Sequence, residues 1–428
     1  MREHRPAGAA LEARRLSLNA PRAARGLFGP GLFVGVAVFA ANGLNALFQI
    51  ALARVLSPAE YSVLLALVVI TLIAAVPPLA FQASVAREVA VELDGDRPGR
   101  AGAALRDTVR GLAPWAACVL LLGAIVSAVM AAAGSGDAAA TFATAAAIAF
   151  ALIIPAVWGG LLGARLFLVF GLAQLAFAGT RFAGGLVIGL AGGDAAAVMA
   201  GVAGATSVTL CVTFLPLRGL WHGAERAGRR RLATLPNAAA ATGLTVLMAL
   251  ATVDVLVANL AFASDTSGAY GVASVCARVQ LLIPIGVVTV LFPRVATLRD
   301  PERERRHLLA GLAVVAVIGT VVTVLLWTFA EPIVDDIFGE KYAAAAPWLG
   351  PLSLAMGLYA LATVYLYHFL SLARARFAIV LVVIQAAQLV AFAVLHGSPS
   401  ELIGIQIATA AVTLVAAEAW YLFRGKPT

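Results

Sequence analysis

Four ionisable side chains, Arg181, Asp254, Arg278 and Glu418, stand inside long runs of Ala, Leu, Val and Gly. A charge at the middle of a membrane-spanning helix costs about 2.5–3.5 kcal/mol on insertion scales, so it faces a bundle interior, a partner or a watery cavity. At about 1.5 Å per residue, Arg181, Asp254 and Arg278 lie roughly 10–15 Å below the outer ends of their runs, near a bilayer midplane. Glu418 is closer to the inner end and is expected to reach the interface. Asp254 and Arg278 belong to neighbouring runs joined by the short segment SDTSGAY (264–270). They can pair across a helical hairpin, either as a neutral structural tie or as part of a polar site. Arg181 then remains as an excess positive charge. Two guanidinium groups and one carboxylate suit an anion such as phosphate or pyrophosphate, because guanidinium stays charged and donates in a bidentate fork.

Amides extend the pattern. Asn42, Asn45 and Gln49 follow the i, i+3, i+7 spacing that puts them on one helical face. There they can bind sugar hydroxyls or a neighbouring helix. Gln174 shares nearly the same face as Arg181, and Ser274 lies one turn before Arg278. Asn259, Gln280, Gln385, Gln388 and Gln406 are weaker candidates of the same kind. No cofactor is called for; Asp254 is a candidate for tuning the site or for coupling it to H+ or Na+.

The elements that must hold these groups are helices crossing a membrane. Of the 428 residues, 62% are hydrophobic and 12% charged, too little charge to cover a soluble surface. A spanning helix needs about 20 apolar residues, and twelve such runs are read, from 30–53 to 401–423. The runs do not alternate apolar with polar residues, which argues against a transmembrane β-barrel. The predicted fold class is an all-α polytopic membrane protein with two pseudo-twofold-related six-helix lobes. The boundaries are an Arg-rich tail over 1–29, an N-terminal lobe over 30–217, a basic linker over 218–236 and a C-terminal lobe over 237–428. A loose repeat supports the division: Pro77 precedes Arg87 as Pro284 precedes Arg294, each pair following a polar loop that ends in tyrosine. Pro77 and Pro284 are candidate hinges, because proline removes a ladder hydrogen bond and breaks the spanning helix.

All of the 30 Lys and Arg except Arg54, Arg181, Arg278 and Lys341 fall on one side if the N-terminus is cytoplasmic. This positive-inside bias predicts a multi-pass protein of the inner or plasma membrane with both termini in the cytoplasm. Arg54 is expected to snorkel to the outer interface. The net charge of +8 resides in loops such as GRRR (228–231) and PERERR (301–306). Such loops fit topology and anionic membrane lipids, not nucleic acid. Cys118, Cys211 and Cys276 have no paired spacing and read as small packing residues.

Two stretches carry a family resemblance. NGLNALFQIALARVLSPAEYSVLLAL (42–67) and DVLVANLAF…SGAYGVASVCARVQLLIPIGVVTVLFPRVATL (254–298) resemble the first and the seventh and eighth helices of bacterial polysaccharide and oligosaccharide flippases. Those belong to the multidrug/oligosaccharidyl-lipid/polysaccharide exporter (MOP) superfamily. Arg181 is similar to an arginine in the fifth helix of that family, whereas Ser62 departs from the glycine that usually follows the tyrosine. The resemblance implies translocation of a polyprenyl-(pyro)phosphate-linked glycan by alternating access, with Arg278 and Arg181 at the pyrophosphate. It also implies polysaccharide-assembly enzymes as partners. A multidrug/cation antiporter of the same superfamily is the nearest rival and would be expected to use intramembrane acids. DRPGR (96–100) resembles a major-facilitator loop motif, but Glu92 stands where that motif wants glycine. A membrane glycosyltransferase or polymerase would need paired carboxylates or a metal site in a sizeable outer loop. No such loop is read, and no catalytic residue is assigned.

Overall fold

The computed structural model describes residues 30–133, 138–224, 235–284, 286–287, 301–372 and 376–424, and among these no strand occurs. The N-terminal tail, most of the basic linker and the segment carrying Arg294 lie outside the described residues. Helix α1 (Pro30–Val55) is followed by α2 (Pro58–Ala75) and α3 (Pro77–Asp94). Then come α4 (Pro98–Ala132), α5 (Ala138–Gly163), α6 (Phe167–Leu190) and α7 (Ala195–Phe214). The second half opens with α8 (Leu235–Leu250), α9 (Val253–Ala261) and α10 (Ser264–Ala277). It continues with α11 (Pro301–Thr328), α12 (Ala346–Ser371), α13 (Phe377–Val394) and α14 (Pro399–Arg424).

Eleven helical stretches among the described residues are long and apolar enough to cross a membrane, so the chain is an all-α polytopic membrane protein. The twelfth expected run, 269–293, begins in α10 and continues into residues that are not described.

Local chemistry sets several helix ends. The SPAEY segment is a helix start: Ser57 Oγ accepts the Glu60 N–H at 3.2 Å, and Pro58 occupies the first turn. Proline fits there because its missing N–H would be unpaired anyway. Asp194 caps α7 in the same way, accepting the Ala197 N–H at 2.8 Å. At Pro77 the second span breaks into α2 and α3. In the eighth run the change of helix comes earlier than Pro284: a 3₁₀ turn, Arg278–Leu282, takes over directly after α10.

The chain forms two compact units. Unit 1 comprises Met1–Phe48 and Pro78–Thr234; unit 2 comprises Gln49–Pro77 and Leu235–Thr428. A division by sequence alone cuts once, in the linker; here the segment 49–77 clusters with the second half. Small residues on α10 account for this. A Cβ on Gly268 would collide with the Pro58 carbonyl, and one on Gly271 with Leu65, so α2 and α10 touch at backbone distance. Ser62 strengthens the seam, bonding Ser267 Oγ and accepting Asn259 Nδ2 at 2.7 Å.

Unit 1 has its own core around Val89, Leu105, Val157, Trp158, Leu161 and Phe170. Gly159 and Gly163 lie against the carbonyls of Gln82 and Ala86, which lets α5 approach the α3 backbone directly. The DRPGR segment forms a turn in which Asp96 takes φ 54° and Arg97 pairs with Glu92 at 2.7 Å. Glu92, the residue that departs from the major-facilitator motif, is thus that turn's ion-pair partner.

Candidate functional site

In unit 1, α1 and α6 build a cradle for one guanidinium. Arg181 Nη1 donates to Asn45 Oδ1 at 3.1 Å, and the guanidinium carbon lies 5.1 Å from the centre of the Phe48 ring and 5.5 Å from that of Phe177. Phe177 is one turn before Arg181 on α6, and Asn45 and Phe48 are neighbours on one face of α1, as helical spacing requires. A neutral amide and two ring faces orient the cation without neutralising it. Arg181 Nε is buried with no hydrogen-bond partner, and no described carboxylate pairs with this residue. Asn42 and Gln174 are part-buried in the same unit and make no bond to Arg181; Gln49 belongs to unit 2.

In unit 2, the seventh span is discontinuous. Helix α8 ends at Leu250 and α9 starts at Val253, with a two-residue turn between them. Such a break frees carbonyls that hydrocarbon cannot satisfy. Gln388 Nε2 donates to Leu250 O at 3.0 Å, and Arg278 Nη2 is 3.4 Å from Thr252 O. Asp254 sits in the first turn of α9, where the helix dipole favours a negative charge. Its Oδ2 accepts the Tyr270 hydroxyl at 2.8 Å, while Arg278 Nη2 stands 3.8 Å from Oδ1. Asp254 is fully buried and the Arg278 side chain is 14% exposed. Ser274 is buried, with its hydroxyl unpaired.

The geometry therefore brings together Arg278, Asp254, Tyr270 and Thr252 in unit 2, and Arg181 with Asn45 in unit 1. Arg278 is turned toward an internal acid and the Thr252 carbonyl, which also accepts the Val255 N–H at 3.3 Å; no described acid faces Arg181. Beside the break lies a buried amide network in which Gln388 Nε2 also donates to Gln406 Oε1 at 3.0 Å and Tyr359 donates to the same oxygen at 3.2 Å. Gln280 ties three elements, donating to Gly319 O at 3.1 Å and Ser353 O at 3.1 Å. These amides act as structural glue within unit 2.

Arg54, expected to snorkel to the outer interface, is exposed and donates to the carbonyls of Asp336 and Ile337. In return Lys341 donates to Arg54 O at 3.1 Å and Leu56 O at 2.6 Å, and Tyr342 donates to Ala53 O at 3.1 Å. The carbonyls at the end of α1, left without helical partners, thus draw Lys341 and Tyr342. Glu418 is exposed and accepts the Tyr365 hydroxyl within unit 2. Of the three cysteines only Cys276 is packed; Cys118 and Cys211 are exposed on helix surfaces. Sequence spacing alone does not single out Tyr270, Phe48, Phe177 or Thr252 as site residues. Phe48 and Phe177 carried a signal, being one turn from Asn45 and Arg181 on the same faces. Thr252 carried none.

A two-unit, all-helical architecture of this kind, with charges deep in its spans, defines a polytopic membrane protein. Its fold resembles those of solved MOP-superfamily transporters. Over 92% of this chain and 87% of the other, it is similar to the lipid II flippase MurJ in an inward closed conformation, with a TM-score of 0.69 at 13% identity. It is also similar to a multidrug resistance MATE family transporter in an inward-facing conformation, with a TM-score of 0.68 at 14% identity, covering 89% of this chain and 93% of the other. A MOP superfamily transporter from Pyrococcus furiosus, described as having a binding pocket of reversed polarity, matches with a TM-score of 0.61 at 13% identity. That match covers 93% of this chain and 97% of the other. No family model and no curated protein matches the sequence.

Proposed function

We propose that this protein is a flippase that carries a polyprenyl-(pyro)phosphate-linked oligosaccharide or polysaccharide precursor from the inner to the outer leaflet by alternating access. The observation that carries the reading is Arg181: a part-buried guanidinium in a membrane-spanning helix, held by an amide and two aromatic rings and paired with no described acid. Such a group keeps its charge and its free donors for an anion. Arg278 is the second head-group contact, working from beside Asp254, which tunes it or couples the cycle to H+ or Na+. Asn42 and Gln174 in unit 1, and Gln49 and Ser274 in unit 2, offer hydroxyl-binding polarity. The site is one of binding and not of catalysis. In this reading the protein resides in the cell membrane with both termini cytoplasmic, among anionic lipids and beside polysaccharide-assembly enzymes.

The test is binding of undecaprenyl pyrophosphate to the purified protein in nanodiscs, read by native mass spectrometry. Arg181→Ala is expected to lower the affinity at least tenfold, a loss of about 1.4 kcal/mol or more, and Arg181→Lys to restore part of it. If the wild type ignores this lipid but takes up cationic dyes in a manner that requires Asp254, the protein is a multidrug/cation antiporter instead.

A further inference from the structure

At the end of α11 opposite the basic PERERR turns, the chain leaves the helix through Ala330–Pro332 and a π-helical turn, Ile333–Phe338. A groove of about 550 Å³ opens there within unit 2, lined among others by Trp327, Thr328, Glu331, Pro332, Asp335 and Gly350. That volume is in the range of small-molecule sites. One residue sets its character. A Cβ on Gly350 would collide with three carbons of the Trp327 indole, so the ring lies against the α12 backbone. The residue is nevertheless 57% exposed, leaving much of the ring open to the groove. A tryptophan that merely marks a membrane interface needs no such seat.

Around this platform the polar groups are of two kinds. Glu331 and Asp335 are exposed carboxylates, four residues apart, and act as acceptors. The Thr328 hydroxyl both donates and accepts. Lys341, the cation nearest in sequence, is directed into the backbone carbonyls of Arg54 and Leu56, and Arg54 into that of Ile337. A flat apolar surface flanked by carboxylates and a hydroxyl matches a sugar ring. Axial C–H groups stack on an indole, and ring hydroxyls donate to carboxylates.

We propose that this groove is a sugar-binding subsite that receives glycan units at the exit face. The inference rests on the reading of the cargo as a lipid-linked glycan. It places the sugar-recognising residues on unit 2, separately from the Arg181 cradle.

The experiment uses the full-length protein in nanodiscs and lipid-free probes, so that head-group capture plays no part. Cellotetraose, chitotetraose and the cationic dye rhodamine 6G are titrated, with saturation-transfer NMR as the readout for the sugars and fluorescence polarisation for the dye. The expected result is binding of at least one oligosaccharide, weakened tenfold or more by Trp327→Ala and by Glu331→Gln with Asp335→Asn. The second variant changes only exposed side chains, so it tests the groove even if the first fails to fold. The proposal is overturned if neither sugar binds, if binding survives both variants, or if rhodamine 6G alone depends on these residues. Failure of the flippase reading shows elsewhere, as absent undecaprenyl pyrophosphate binding in the wild type, and the two results are separable.

Discussion

Arg181 and Arg278 looked equivalent as letters in an apolar sequence, and the structure separates them by their partners. Arg181 rests on Asn45 and two aromatic rings. Removing it leaves no acid stranded, so Arg181→Ala is expected to reduce ligand binding while the melting temperature in detergent stays within about 2 °C of wild type, the low end of the shift that 1 kcal/mol makes in a chain of about 150–250 residues. Arg278 faces Asp254 and Thr252 O and is largely buried. Breaking a buried pair from one side strands a charge and costs about 3–5 kcal/mol, so Arg278→Ala is expected to lower stability markedly. Neutralising both partners, as Asp254→Asn with Arg278→Gln, should recover most of that loss. Thermal unfolding followed by tryptophan fluorescence distinguishes the two arginines. Equal destabilisation by both single variants would mean that Arg181, too, is structural.

At the scale of the element, the instructive feature is the break between α8 and α9. The sequence there, LATVD (250–254), holds neither proline nor glycine, the residues by which breaks are usually recognised. What stabilises it is distant in sequence: Gln388 on α13 takes the Leu250 carbonyl, and Arg278 approaches that of Thr252. Gln388→Leu keeps the volume but leaves Leu250 O buried and unpaired, which costs about 1–3 kcal/mol. A shift in melting temperature of several degrees is expected, with slower exchange of the surrounding amides replaced by faster exchange at 250–254. No change in either would mean that the turn is held by its own backbone. The same reasoning separates what was legible from what was not. Apolar run length and the Pro77 break could be read, because they depend on local composition. The 250–252 turn, the Ser62–Ser267 contact and the Arg54–Lys341 exchange could not, since each is decided by a partner roughly 140–290 residues away.

At the scale of the whole molecule, the charge pattern makes a claim that the helices alone do not. Long apolar helices can be threaded in either direction; the excess of Lys and Arg in alternate loops selects one. Asp265, exposed at the α9–α10 turn, then belongs outside, and Arg303, exposed in the first turn of α11, belongs inside. Single-cysteine variants at these two positions, made after replacing Cys118, Cys211 and Cys276, report the direction. Asp265→Cys is expected to react with a membrane-impermeant maleimide in intact cells, and Arg303→Cys only after permeabilisation. The reverse pattern would invert the protein and turn the Trp327 groove toward the cytoplasm. It would then lie at the face where a glycan is loaded, and the assignment of that groove to exit would fall with the orientation. The direction of threading thus decides what the groove is for, and the loop charges are the feature of the sequence that predicts it.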